Sequence, residues 1–420
     1  MYSNIILFCN ALVYSLVLLI YWYKNRLFNV GVLLLSLYVI AAWSSLLLYT
    51  NKYFVYSNYY SEMSIEPFIY LFCALMLIIS PFLFFKSNKI TEIYCTKTDL
   101  LLTIIKCLLV VNVICIIIQI PTLRDMNGAI DWGELKENHY NSEERFWFYK
   151  YGLLSHINLL ATGMMPISLA LSFYTYFVLA PNKVNKIFFY STLILEILVI
   201  IVNGNRGSII IDAAYMFSLF LVLRTFMSKK RIRVIKRLFV ITLIPLSFLF
   251  IIITQSRFGS DMLVYYNVKY AGESFVNFNG LMYNRLNGTT DGRAYFTLFT
   301  RIFSPESADY ETGIEKWDFI EKKTNVRGQY FYTIVGAFLF EFGKIYTMFI
   351  FLLFSLLCRN ILKKNKVISL AQFLFYSVFV YLLINGVFYF KFQGSGGNVT
   401  LLSLFVFMML FRNEKVISKK

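Results

Sequence analysis

The stretch LLLTIIKCLLVVNVICIIIQI, Leu100 to Ile120, holds one charged residue, Lys106, in 21 positions. That is the length a helix needs to cross the hydrocarbon core of a bilayer, roughly 20 apolar residues. Comparable runs recur at Ile5 to Trp22, Phe68 to Phe85 and Leu238 to Thr254. The composition points the same way, with 58% hydrophobic and 15% charged residues and a mean hydropathy of +0.63. A soluble chain of 420 residues would be expected to form about three domains at roughly 150 residues each. The recurring apolar runs predict instead an all-α, polytopic bundle of transmembrane helices, a single integral-membrane domain over 1–420.

Eleven spans are predicted, near 5–22, 28–49, 67–85, 100–120, 153–180, 187–202, 208–226, 238–255, 333–357, 368–390 and 398–411. Alternate connections, from Lys24, Lys86, Lys183, Arg224, Arg359 and the tail from Arg412, together hold 22 Lys/Arg against two acids, Glu92 and Glu414. Basic residues gather on the cytoplasmic side, so these are the predicted inner loops. The amino end is then outside, the carboxyl tail is cytoplasmic, and the first span, with basic residues only behind it, reads as retained rather than as a signal peptide. The net charge of +17 is thereby mostly a topology signal, and no nucleic-acid partner is implied.

Cys9, Cys73, Cys107 and Cys115 fall in predicted spans and Cys95 and Cys358 on the cytoplasmic side, which leaves no disulfide framework. With two histidines, His139 and His156, and no CxxC, HExxH or P-loop pattern, metal-assisted hydrolysis and ATP-driven pumping are not expected. No cofactor or metal site is predicted.

Two outer connections are long, 121–152 and 256–332. Connections of that length usually carry function. The longer one carries nine basic and nine acidic residues between Arg257 and Arg327, aromatics from Tyr265 to Trp317, and the turn signals Asn287-Gly288 and Asp291-Gly292. It is expected to fold into short helices on the outer face. A secondary transporter would more often show internal repeats with paired interrupted helices, which are not evident here, so an enzyme acting at the outer face is the preferred reading.

Asn203-Gly204-Asn205-Arg206-Gly207-Ser208 must turn the chain tightly between two apolar runs. The next helix starts there, so its amino-terminal N–H groups would lie beside the Arg206 guanidinium, an arrangement suited to phosphate. Snorkelling of Arg206 to lipid headgroups is the plainer alternative. Asp212 and Glu196 lie one and two turns deep, where a carboxylate is costly unless paired or hydrated. Arg257, in Gln255-Ser256-Arg257-Phe258-Gly259, marks a second boundary arginine, and Arg285, Arg293, Arg301 and Arg327 follow in the long connection. Gln393-Gly394-Ser395-Gly396-Gly397-Asn398 reads as a flexible turn or as a source of backbone N–H donors.

Asn203-Gly204-Asn205-Arg206-Gly207 opening an inward helix, Ser256-Arg257-Phe258 starting a large outer connection, Tyr270-Ala271-Gly272-Glu273-Ser274 soon after, and Phe340-Glu341-Phe342-Gly343 in a late span together resemble the Wzy-type O-antigen polymerases. The resemblance in order and topology covers most of the chain, on short motifs. It implies joining of oligosaccharide units carried on undecaprenyl diphosphate at the outer face of the inner membrane, without metal, with membrane lipids and a polysaccharide chain-length regulator as partners. Arg206 and Arg257 would be its matched arginines, with Arg285, Arg293 and Arg327 as further ligands of the diphosphate. The proton acceptor is left open among Glu273, Asp261, Asp291, Glu341 and His139. An ordinary i to i+3 ion pair with Lys344 is the plain reading of Glu341. An O-antigen ligase would share the topology but is expected to carry a histidine in the large connection, where this chain has none after His156. A flippase would need a polar core, and Lys106, Glu196 and Asp212 are the deep charges available for one.

Overall fold

The computed structural model describes residues 2–50, 62–125, 151–179, 182–203, 206–258, 263–304, 312–362 and 366–411. It is built from helices, in chain order α1 (Tyr2–Asn25), α2 (Val30–Thr50), α3 (Ile65–Phe84), α4 (Thr98–Asp125), α5 (Gly152–Phe177), α6 (Lys183–Val202), α7 (Arg206–Leu223), α8 (Lys229–Phe258), α9 (Leu263–Asn277), α10 (Thr297–Phe303), α11 (Gly313–Thr324), α12 (Thr333–Ile361), α13 (Leu370–Asn385) and α14 (Gly394–Leu410). Eight of the described helices, α1 to α7 and α12, are long and apolar enough to cross a membrane. The chain is therefore an all-α, multi-pass membrane protein.

The last two predicted spans differ in detail. In place of 368–390, α13 stops at Asn385, and α14 starts at Gly394 rather than 398; both are shorter apolar helices. The predicted run at 238–255 lies inside α8, a 30-residue helix that also takes in the basic segment from Lys229.

Two compact units divide the chain, each discontinuous in sequence. The first comprises Met1–Lys86, Phe258–Lys364 and Leu382–Gly394. Within it, α2 starts on an Asn29 cap, whose side chain accepts from the Val32 N–H at 3.0 Å, meeting one of the amides that a helix start leaves open. Small residues then let helices approach: the Ser45 hydroxyl donates to the Gly272 carbonyl of α9 at 2.9 Å. Tyr14 of α1 is fully buried between Phe72 and Phe275, with ring centroids 5.4 and 5.5 Å away in edge-on geometry. Side chains on the outward faces, such as Leu16, Leu19 and Tyr23 of α1, are exposed apolar groups, as a hydrocarbon solvent permits.

The second unit comprises Ser87–Arg257, Asn365–Tyr381 and Ser395–Lys420. Two pairs of its buried polar side chains meet across helices, Asn112 of α4 with Thr192 of α6 and Gln119 of α4 with Asn158 of α5, each at 2.9 Å. A short parallel strand pair, β1 (Glu92–Tyr94) and β2 (Val367–Ser369), joins two of the basic connections, with Ile93 opposite Ile368. In the sequence the first segment reads as part of a basic connection and the second falls at the start of the predicted span 368–390, because three residues are too few to show a period-2 pattern.

Candidate functional site

Helix α12 is broken at Gly343, whose φ of 69° and ψ of −179° lie where side-chain-bearing residues rarely go. The interruption separates Thr333–Phe342 from Lys344–Ile361, and the long connection between α8 and α12 folds back onto it. Thr290 donates its N–H to the Phe340 carbonyl at 2.8 Å, and Asn287 donates its N–H to the Thr324 carbonyl at 2.9 Å. Gly288, at φ 98°, allows this approach, since a Cβ there would fall 2.4 Å from the Lys323 carbonyl oxygen.

Glu341 is 1% exposed and lies at the centre of this junction. Its carboxylate accepts from the Thr290 hydroxyl and from the backbone N–H groups of Tyr295 and Gly292. Three donors meet the demand of a carboxylate deprived of water. The i+3 pairing with Lys344 is not made. With the helix interrupted between the two residues they no longer share a face, and the Lys344 ammonium instead sits 3.8 Å from the Tyr283 ring centroid. The Tyr283 hydroxyl in turn donates to the Glu66 carboxylate at 3.1 Å, and Tyr70 donates to the Lys344 carbonyl at 2.6 Å.

Asp291 sits on the tip of the folded connection, exposed, and accepts from the Thr289 hydroxyl. Its φ of 51° is a left-handed conformation that aspartate tolerates better than most residues. Thr289 in turn packs against the break, its Cγ2 3.5 Å from where a Gly343 Cβ would be.

Lys316, in the first turn of α11, faces Glu341 from the connection. The helix begins with a capping box: Thr312 accepts from the Glu315 N–H at 3.2 Å and Glu315 reaches back to the Thr312 N–H. Its ammonium donates to the Gln393 side-chain oxygen at 2.9 Å and lies 4.3 Å from the Tyr295 ring centroid. Burial pushes the Lys316 ammonium down to about 8, although the Glu341 charge acts in the opposite direction.

The other predicted site residues are spread more widely. Glu273 is buried within α9, next to the Gly272 contact with α2. Arg285 and Arg293 are exposed on the connection. Arg327 is exposed too; it donates to the Tyr330 hydroxyl at 3.4 Å and pairs with Glu321 at 3.7 Å, and these neighbours raise its already high pKa. Glu273, Asp291, Glu341 and these three arginines all belong to the first unit. Arg206 and Arg257 belong to the second, Arg206 opening α7 and Arg257 one residue from the end of α8. Their side chains, and His139 and Asp261 altogether, lie outside the described residues. In the second unit Glu196 and Asp212 are buried within electrostatic reach of the Tyr215 hydroxyl, which donates to the Pro166 carbonyl at 2.8 Å.

Thr290, Tyr295, Lys316 and Gln393 were not singled out as site residues by sequence. The Thr312-x-x-Glu315 capping-box pattern is the local signal that could have found the helix that carries Lys316, but Tyr295 and Gln393 meet it only through the fold. Among the described residues no group of three or more His, Cys, Asp or Glu is arranged to hold a metal ion. Compared with protein-family models, with curated proteins and with solved structures, the chain matches none.

Proposed function

We propose that this protein is a membrane glycosyltransferase that polymerises oligosaccharide repeat units carried on undecaprenyl diphosphate, at the outer face of the inner membrane, for an O-antigen or related surface polysaccharide. The eleven-span topology with both long connections outside and the carboxyl tail in the cytoplasm is part of the same proposal. The observation that carries it is the Glu341 junction, where a long connection rich in aromatic and charged residues is folded onto a break in a spanning-length helix. That break falls in the Phe340-Glu341-Phe342-Gly343 motif on which the resemblance to the polymerases partly rests.

In this reading a hydroxyl of the incoming unit attacks the anomeric carbon of the growing chain. The glycosidic bond forms as the bond to the lipid diphosphate breaks, the diphosphate leaves with its electron pair, and the hydroxyl proton passes to a base. Arg206 and Arg257 neutralise the departing diphosphate. Glu341, its oxygens already engaged by three donors, positions the connection rather than taking the proton. Among the described carboxylates Asp291, exposed and accepting from the Thr289 hydroxyl, is the base in this reading.

The test is reconstitution of the purified protein in liposomes with an undecaprenyl-diphosphate-linked repeat unit and no nucleotide sugar. A ladder of lipid-linked products supports the proposal. Unit translocated across the bilayer but unpolymerised would establish a transporter instead, and transfer only to an added lipid A core would establish a ligase.

A further inference from the structure

Along α8 the outward residues keep to one side of the helix. Lys229, Arg233, Lys236 and Arg237 are exposed near its start. Val240, Ile244, Phe248 and Ile251 are exposed beyond them, whereas Ile235 and Ile253 on the opposite side are buried. Steps of three and four residues put the outward set on a single stripe, basic up to Arg237 and apolar from Val240. At 1.5 Å per residue the 30 residues of α8 make a rod of about 45 Å, roughly ten residues longer than the ~30 Å of a hydrocarbon core. The basic part is the surplus.

Helix α6 repeats the pattern. Lys183 and Lys186 are exposed in its first turn, followed on the same stripe by exposed Ile187, Tyr190 and Ile194. The starts of the two helices flank the end of α5. Arg231 of α8 donates to the carbonyl of Phe177, the last residue of α5, at 3.2 Å, and the Phe177 ring meets Phe189 of α6 edge-on at 5.5 Å. Tyr176 has its ring centroid 6.2 Å from that of Tyr190 and lies within electrostatic reach of Arg231. Cations at the end, tyrosines at the boundary and aliphatic groups beyond follow the order in which a leaflet presents phosphate, glycerol and acyl chains. No Asp or Glu occurs in 178–194 or in 224–253. The neighbouring connection, 87–99, is balanced, Lys89 and Lys97 against Glu92 and Asp99, so the excess of positive charge is local to α6 and α8.

We infer that the starts of α6 and α8 form a binding site for an anionic phospholipid. Its phosphate is held by Lys183, Lys186 and the basic residues of α8, and its acyl chains lie along Ile187, Ile194 and Val240. A lipid seated there ties α6 to α8 across the end of α5. The site belongs to the second unit alone and depends neither on the polymerase reading nor on which leaflet lies at this end.

Native mass spectrometry of the full-length protein in neutral detergent, at constant ionic strength, measures dissociation constants for phosphatidylglycerol and for phosphatidylcholine with the same acyl chains. Phosphatidylglycerol should bind about tenfold more tightly or better. Lys183→Gln combined with Lys186→Gln should weaken it roughly 25-fold, about fivefold per charge, and Lys229→Gln combined with Arg233→Gln by a similar factor. Lys183→Arg with Lys186→Arg should keep the affinity, which separates loss of charge from misfolding. Lys322→Gln with Lys323→Gln, which removes two exposed cations from α11 in the first unit, should leave it unchanged. Inorganic phosphate should not displace the lipid, because the acyl chains carry part of the affinity. Equal binding of the two lipids, or an equal loss in the α11 variant, overturns the inference. Complete displacement by inorganic phosphate also overturns it and makes the site one for a free anion.

Discussion

The hydroxyl of Ser45 on α2 donates to the carbonyl of Gly272 on α9 at 2.9 Å, and a Cβ on residue 272 would fall 2.4 Å from the backbone of Ser44. The contact is between backbones, so no flexible side chain can move aside. Gly272→Ala should therefore destabilise the protein by on the order of 1–3 kcal/mol, as overpacking of a filled interior does. Thermal or denaturant unfolding in detergent would measure it, and unchanged stability would mean that α2 and α9 are less closely packed than described.

Thr290→Val removes the hydroxyl donor from a buried carboxylate while keeping the side-chain shape. Leaving one carboxylate site unmet should cost about 1–3 kcal/mol. The loss should appear first as faster hydrogen exchange in 287–296, and exchange confined to the termini of the chain would contradict the role given to Thr290.

Arg206→Ala and Arg257→Ala should leave cells making single repeat units with the protein present in the membrane at normal abundance. On the proposed function each would lose a contact to the departing diphosphate worth several kcal/mol, by analogy with the ~2.7–4 kcal/mol of an oxyanion donor. Arg206→Lys should recover part of the chain length, because the ammonium keeps the charge and loses the planar two-pronged geometry. Polymer length on gels is the readout, and wild-type length with Arg206→Ala would reduce Arg206 to a headgroup anchor.

Lys316 carries a pH dependence of definite sign. Its folded pKa, about 8, lies below the ordinary 10.5, so between these values the docked helix binds fewer protons than the undocked one. Docking of α11 should accordingly strengthen as pH rises through that window, and lose that advantage below it. Hydrogen-exchange protection of 313–324, corrected for intrinsic rates, would report this. Lys316→Met should flatten the curve, and protection that falls as pH rises from 8 would reverse the assignment.

A reporter active only outside the cytoplasm, fused within 125–150 or 288–324, should be active, and silent when fused at 229–236. The basis is the excess of lysine and arginine in the alternate connections. The opposite pattern would invert the topology and withdraw the outer-face enzyme with it.

Much of the helical scaffold was legible because a bilayer demands long apolar runs, and the structure places helices on the predicted ones, with α13 ending early at Asn385. Gly343 was not legible as a break: one glycine between Phe342 and Lys344 reads as tolerated within a helix, and only its backbone angles mark the interruption. The mistaken pairing of Glu341 with Lys344 followed from assuming continuity there. Thr290 and Tyr295, which do hold Glu341, are about fifty residues away in sequence, and no local periodicity connects them. The Asn287-Gly288 and Asp291-Gly292 turns were read from composition, but which helix they close upon is a tertiary fact.

Beyond Gly343, Tyr70 holds the Lys344 carbonyl and, farther along, Arg359 donates to the Ser80 hydroxyl at 3.3 Å, so this stretch of α12 is fastened to α3. Before Gly343, the stretch from Thr333 is fastened to the connection through Phe340 and Glu341. The natural seam for exchanging modules between proteins of this kind is therefore inside a helix. A chimera that transplants the connection and cuts at Thr333 would import Thr290 and Tyr295 without the carboxylate they hold, whereas a cut at Gly343 carries the junction across whole.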